Sequence, residues 1–86
     1  MIVKIFWQGK CPKCSPAKEV GKELDEKGIA VEYHDIQSID GMSEALYYNI
    51  LASPSVVIAD GDDEIASWRG SVPTVEEILG AINGRA

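Results

Sequence analysis

Eighty-six residues suit one small domain spanning the whole chain, 1–86. A composition 45% hydrophobic and 26% charged is that of a folded globular chain and argues against disorder. The net charge of −6 argues against nucleic acid as a partner, and no apolar run approaches the roughly 20 residues of a membrane helix. The apolar start carries Lys4 and no small-residue cleavage site follows it, so a cytoplasmic domain without a secretion leader is expected.

The net charge conceals an asymmetry. Residues 1–27 hold six of the eight basic residues (Lys4, Lys10, Lys13, Lys18, Lys22, Lys27) against four acids, and residues 28–86 hold Arg69 and Arg85 against ten. Both cysteines lie in the positive part.

In chain order, Ile2-Val3-Lys4-Ile5-Phe6-Trp7 is a β-rich run that reads as a largely buried strand, broken by Gln8-Gly9-Lys10. Ala17, Val20, Gly21 and Leu24 recur at helical spacing, and Gly28 supplies a C-terminal cap. Ala30 to Ile36 is a second strand, with Val31 and Tyr33 on one face and Glu32 and His34 on the other. Asp40 is a candidate N-cap for a short helix carrying Met42, Leu46 and Ile50. After Pro54, Ser55 to Ala59 and Glu64 to Trp68 form a hairpin around the acidic turn Asp60 to Asp63. Thr74-Val75-Glu76-Glu77 is a capping box for a last helix that presents Val75, Ile78, Leu79 and Ile82 on one face and ends at Gly84. The order β-α-β-α-β-β-α implies an α/β fold. Its first two strands are parallel, and its mixed four-stranded sheet is flanked by helices.

Cys11-Pro12-Lys13-Cys14 falls between a strand end and a helix start. A helix N-terminus offers unpaired N–H groups and partial positive charge, both of which favour a thiolate, and Lys10 and Lys13 add to that field. The thiolate is the species that attacks a disulfide, so Cys11, at the cap, is the expected nucleophile and Cys14 the resolving thiol. Pro12 suits a first helical position. Pro16 allows two arrangements: a loosened first turn, or a regular helix beginning at Ser15-Pro16 with both cysteines in its entry turn. A structural zinc site needs four ligands, and the chain offers only His34 besides, so a metal or iron–sulfur cluster would have to be shared between two chains. That is the alternative to redox chemistry.

With these features the chain resembles the thioredoxin superfamily in its short, glutaredoxin-like form. The resemblance rests on Cys11-Pro12-Lys13-Cys14 after the first strand and on Ser53-Pro54-Ser55-Val56-Val57-Ile58 at the third. It implies a cis Pro54 facing the disulfide, with Ser53 presenting its backbone to the bound substrate chain. Ser67-Trp68-Arg69-Gly70-Ser71-Val72-Pro73 is similar to the Trp-Ser-Gly-Phe-Arg-Pro segment of redoxins that donate electrons to ribonucleotide reductase. It keeps Trp68, Gly70 and Pro73 and departs at Arg69 and Val72. The resemblance implies a monomeric oxidoreductase acting on protein disulfides, ribonucleotide reductase among them. Thioredoxin reductase is the expected reductant, with glutathione the second candidate, and the cycle needs no organic cofactor or metal. Asp62-Asp63 precedes the fourth strand, unlike the glutathione-binding acidic pair of glutaredoxins. Ile5 stands where thioredoxins place a buried, proton-relaying aspartate.

The remaining polar and aromatic residues have simpler expectations. His34 reads as a surface or partly satisfied histidine, and Trp7 and Trp68 either frame the site or fill core. Tyr47-Tyr48 either lines a docking groove or covers the sheet. Asp60 to Asp63 offers too few oxygens for calcium and reads as a solvated turn.

Overall fold

A computed structural model describes residues 1–9 and 14–85. The elements are β1 (Ile2–Trp7), α1 (Cys14–Glu26), β2 (Ala30–Asp35), α2 (Ile39–Tyr47), β3 (Ser55–Asp60), β4 (Asp63–Arg69) and α3 (Val75–Arg85). They form a four-stranded sheet in the order β2-β1-β3-β4. β1 runs parallel to β2, with Ile2 opposite Ala30 and Trp7 opposite Asp35, and antiparallel to β3, with Phe6 opposite Ser55. The β3–β4 hairpin pairs Ser55 with Arg69 and contains an irregularity at Ile58/Ala59.

Strand alternation sorts the core into two halves. Val3, Ile5, Val56 and Ile58 face one side, where Ala17 and Leu24 of α1 and Val75 and Ile78 of α3 cover them. Phe6, Val57 and Ala59 face the other, beneath Ala45 of α2 and Tyr48 and Ile50 just beyond it. β3 is therefore buried on both faces from Ser55 to Ala59. That double burial explains its continuous run of small and β-branched residues.

Several ends differ from the sequence expectation. The first helix, described over Cys14–Glu26, includes Ser15-Pro16, so helical structure extends ahead of Ala17. Its other end behaves as read: Gly28 has φ +81, Gly28 N–H donates to the Asp25 carbonyl, and Ile29 N–H donates to the Leu24 carbonyl. This double bond pattern closes a helix around a left-handed glycine. The second strand stops at Asp35, although Ile36 N–H still donates to the Trp7 carbonyl.

Ser38, not Asp40, caps the second helix, its hydroxyl accepting the Gly41 N–H at 3.0 Å. Asp40 is displaced into the first turn, where a carboxylate still favours the helix dipole. Of the three apolar residues assigned to this helix, Met42 and Leu46 face outward and Ile50 lies past its end. Gly41, Ala45 and Tyr48 are the buried positions. The hairpin is tighter than read, because Asp60 pairs with Asp63 across Gly61-Asp62. The capping box forms as expected: Glu77 N–H donates to Thr74 Oγ1 at 3.1 Å and Thr74 N–H to Glu77 Oε1 at 3.4 Å. The last helix passes Gly84 to Arg85.

Candidate functional site

The register carries four chain ends to one end of the sheet. Trp7 closes β1, Asp35 closes β2, Arg69 closes β4, and Ser55 opens β3. The segment after Trp7 leads to α1, whose first residue is Cys14, and the Ser53-Pro54 segment reaches the same end immediately before Ser55. The first turn of α1 carries no acidic residue to offset its positive end. Lys10, Cys11, Pro12 and Lys13 lie outside the described residues. What the structure defines is the frame around them.

On the Ser53 side, the Ser53–Pro54 peptide bond is cis, as the resemblance implied. Pro54 is buried and Ser53 half-buried. The Ser55 side chain is fully buried, donating to the Ala52 carbonyl at 2.6 Å and accepting the Gly70 N–H at 3.1 Å. Arg69 adds a second tie. Its guanidinium donates to the Tyr48 carbonyl at 2.7 Å and to Glu64 Oε1 at 3.0 Å, and also bonds the Ser67 hydroxyl. Trp68 is half-buried and packs against the core on the α1/α3 side, while exposed Gly70 turns the chain away with φ +76.

Opposite, the Lys18 ammonium lies 3.9 Å from the centre of the Trp7 ring, a cation–π contact between α1 and the end of β1. Trp7, Lys18 and Tyr33 line an open apolar recess of about 310 Å³. Tyr48 covers the sheet, buried edge-on to Phe6, and Tyr47 is exposed against Tyr48.

Beneath α2, Lys4 bonds Glu44 and lies 3.7 Å from Glu32. His34 bonds Glu32 at 3.0 Å and stacks on Phe6 at 5.3 Å, so it is a partly satisfied histidine. Glu32, His34 and Glu44 bring three ligand-type atoms within 4.8 Å of one another, but the Lys4 ammonium already supplies their cation. Burial pushes the Lys4 pKa down; the hydrogen bond and charge of Glu44, aided by Tyr48 and Glu32, outweigh this and hold it above the usual 10.5. Ile5 is fully buried in the opposite core, leaving no carboxylate at the place the resemblance marked.

The sequence brought forward Trp7, Ser53, Pro54, Trp68 and Gly70. Of these, Ser53, Pro54 and Gly70 converge around Ser55, while Trp68 turns to the core. Ser55 and Arg69 had no assigned role. Their only signal was a hydroxyl in an otherwise apolar strand and one of two arginines in the acidic part of the chain.

Comparison with known proteins agrees with this frame. Residues 1–83 match the thioredoxin domain family model. A thioredoxin of Methanocaldococcus jannaschii is 34% identical over 84 residues, covering 96% of this chain and 93% of that protein. A second thioredoxin of the same organism is 30% identical over 79 residues, covering 91% and 81%. Among solved structures, thioredoxin 1 from Thermosipho africanus superposes with a TM-score of 0.77 at 21% identity, covering 99% of this chain and 93% of that one. Thioredoxin-2 of the malaria parasite superposes with a TM-score of 0.82 at 16% identity, covering 96% and 81%. At those identities the structures speak to the fold, whereas the family match spans nearly every element from β1 to α3. The chain belongs to the thioredoxin family.

Proposed function

We propose that this protein is a dithiol–disulfide oxidoreductase acting on protein disulfides. The observation that carries the proposal is a C-x-x-C sequence that follows β1 in the chain, together with a cis Ser53–Pro54 segment that arrives at the end of the sheet where Trp7 closes β1. Cys11 is assigned the nucleophile, favoured as a thiolate by the helix N-terminus and by Lys10 and Lys13. Its sulfur attacks one sulfur of the substrate disulfide, forming a mixed disulfide and releasing the other substrate sulfur as a thiolate that takes up a proton. The Cys14 thiolate, its proton given to solvent, then attacks the Cys11 sulfur. The second substrate thiolate leaves, and a Cys11–Cys14 disulfide remains. Two electrons pass to the substrate, and a dithiol reductant must return them.

Pro12 shapes the entry to α1, and the Ser53–Pro54 segment offers backbone groups to the substrate chain. Gly70 completes the far rim, with Trp68 behind it packed on the core. Ribonucleotide reductase is the proposed acceptor, thioredoxin reductase the proposed reductant, and the cytoplasm the proposed setting. These follow from the resemblance of the Trp68–Pro73 segment and from the cysteine chemistry.

Replacing Cys14 with Ser tests the order of events. The reduced C14S variant, mixed with oxidised insulin, is expected to accumulate a mixed disulfide through Cys11 visible on non-reducing gels. Wild-type protein should give free insulin chains. Absence of any covalent complex, with Cys11 shown to be alkylatable, would contradict the assignment.

A further inference from the structure

We infer that the buried hydroxyl of Ser55 is a positioning group for substrate. It fastens the Ala52–Pro54 segment to the Gly70 turn, so that the Ser53 backbone meets an incoming disulfide-bearing chain at a fixed place. Among the described residues Ser55 is the one buried polar side chain, and it sits at the head of a strand that otherwise buries Val56, Val57, Ile58 and Ala59. An alanine would fill such a position at no desolvation cost, so the hydroxyl is retained for its bonds. A hydroxyl has one proton to donate. Here that proton goes to the Ala52 carbonyl at 2.6 Å, and an oxygen lone pair takes the Gly70 N–H at 3.1 Å. One atom thus joins the residue before Ser53 to the residue after β4.

The segment has few other anchors. Between buried Ile50 and buried Pro54, Leu51 is 90% exposed and Ala52 is exposed, so the intervening side chains bury little to hold the backbone. Arg69 grips Tyr48 at the near end, leaving Ser55 to fix the end adjoining Ser53. The role assigned to Ser55 rests on the disulfide-exchange function proposed above.

The experiment compares wild type, Ser55→Ala, Ser55→Val and Ser55→Thr, each pre-reduced and checked for folding by circular dichroism. Three readouts are taken: the rate constant for reducing insulin, the rate of Cys11 alkylation by iodoacetamide against pH, and hydrogen exchange at the Gly70 amide. Loss of the hydroxyl in the Ala and Val variants is expected to slow insulin reduction about tenfold. The alkylation profile should remain unchanged, because iodoacetamide needs no docked chain. Ser55→Thr should restore the insulin rate, and Gly70 exchange should quicken only where the hydroxyl is gone. Equal insulin rates in folded wild type and Ser55→Ala would overturn the inference, as would parallel loss of insulin reduction and alkylation. Rapid Gly70 exchange in wild type would overturn it even if neither substitution folds. A wild-type protein that alkylates but reduces no disulfide would instead overturn the disulfide-exchange function, with Gly70 exchange still reporting on the tie itself.

Discussion

Lys10 and Lys13 bracket Cys11 in sequence, and their charges act on the one quantity that governs a thiol's attack, its thiolate fraction. Exchanging both for Gln is expected to move the alkylation midpoint of Cys11 upward and to lower its rate at pH 7 about threefold. An unmoved titration would assign the activation to the helix end alone. The cysteine pair stands out in the sequence because the proposed chemistry depends on a three-residue spacing between a strand and a helix. Ser55 and Arg69 were not. Their partners lie 15 residues on at Gly70 and 21 back at Tyr48, and only strand register brings these together. Tyr47 and Tyr48 could not be separated for a related reason, since adjacent helix positions point about 100° apart and the sheet decides which is covered.

At the scale of elements, the second helix shows how a tertiary contact overrides a local signal. Ser38 and Asp40 are both acceptable caps by residue type. The start at Ile39 is fixed by the return from β2, where the Ser38 hydroxyl donates to the Asp35 carbonyl at 2.7 Å and accepts the Gly41 N–H. Gly41 passes so close that a β-carbon there would overlap the Asp35 carbonyl oxygen. Gly41→Ala is therefore expected to destabilise the fold by about 2 kcal/mol or more, despite alanine's better helix propensity. Urea unfolding measures this, and a stabilised variant would contradict the close approach. Helices one and three were readable because their signals are local: Gly28 closes the first, and the Thr74–Glu77 box opens the third. Removing that box with Thr74→Ala should cost about 1 kcal/mol in the same assay. The strands were readable in place and pairing, and their ends shifted by a residue or two where pairing continued past the apolar run, as at Asp60 and Asp63.

Across the whole molecule, charge is divided along the chain. α1 belongs to the net positive third of the chain, as the C-x-x-C sequence does, whereas no Lys or Arg occurs from residue 28 to 68. Lys4 of β1 lies on the α2 side of the sheet, where it reaches Glu44 and Glu32. Its folded-state pKa is raised above the unfolded value, so its contribution to stability is fully present below about pH 10.5. That contribution is lost as pH rises through the folded pKa. Melting temperatures of wild type and Glu44→Gln should therefore differ at pH 9 and converge as the pH approaches 12. A constant difference would exclude the ion pair as its source. No helix among the described residues is long and apolar enough to cross a membrane. The fold was legible as a whole because seven short elements alternate with clear turn signals. The site was legible only through the residues whose neighbours in sequence are also their neighbours in space.

The most direct test of the account is an equilibrium redox titration of the wild-type protein against a thiol–disulfide buffer, with the Cys11–Cys14 pair followed by thiol trapping and mass analysis. The expected result is a reversible two-electron transition, with the ratio of oxidised to reduced protein changing tenfold per roughly 30 mV and a midpoint near about −270 mV. Failure to form an intramolecular Cys11–Cys14 disulfide at any potential would contradict the account, and would turn attention to a metal held by these cysteines between two chains.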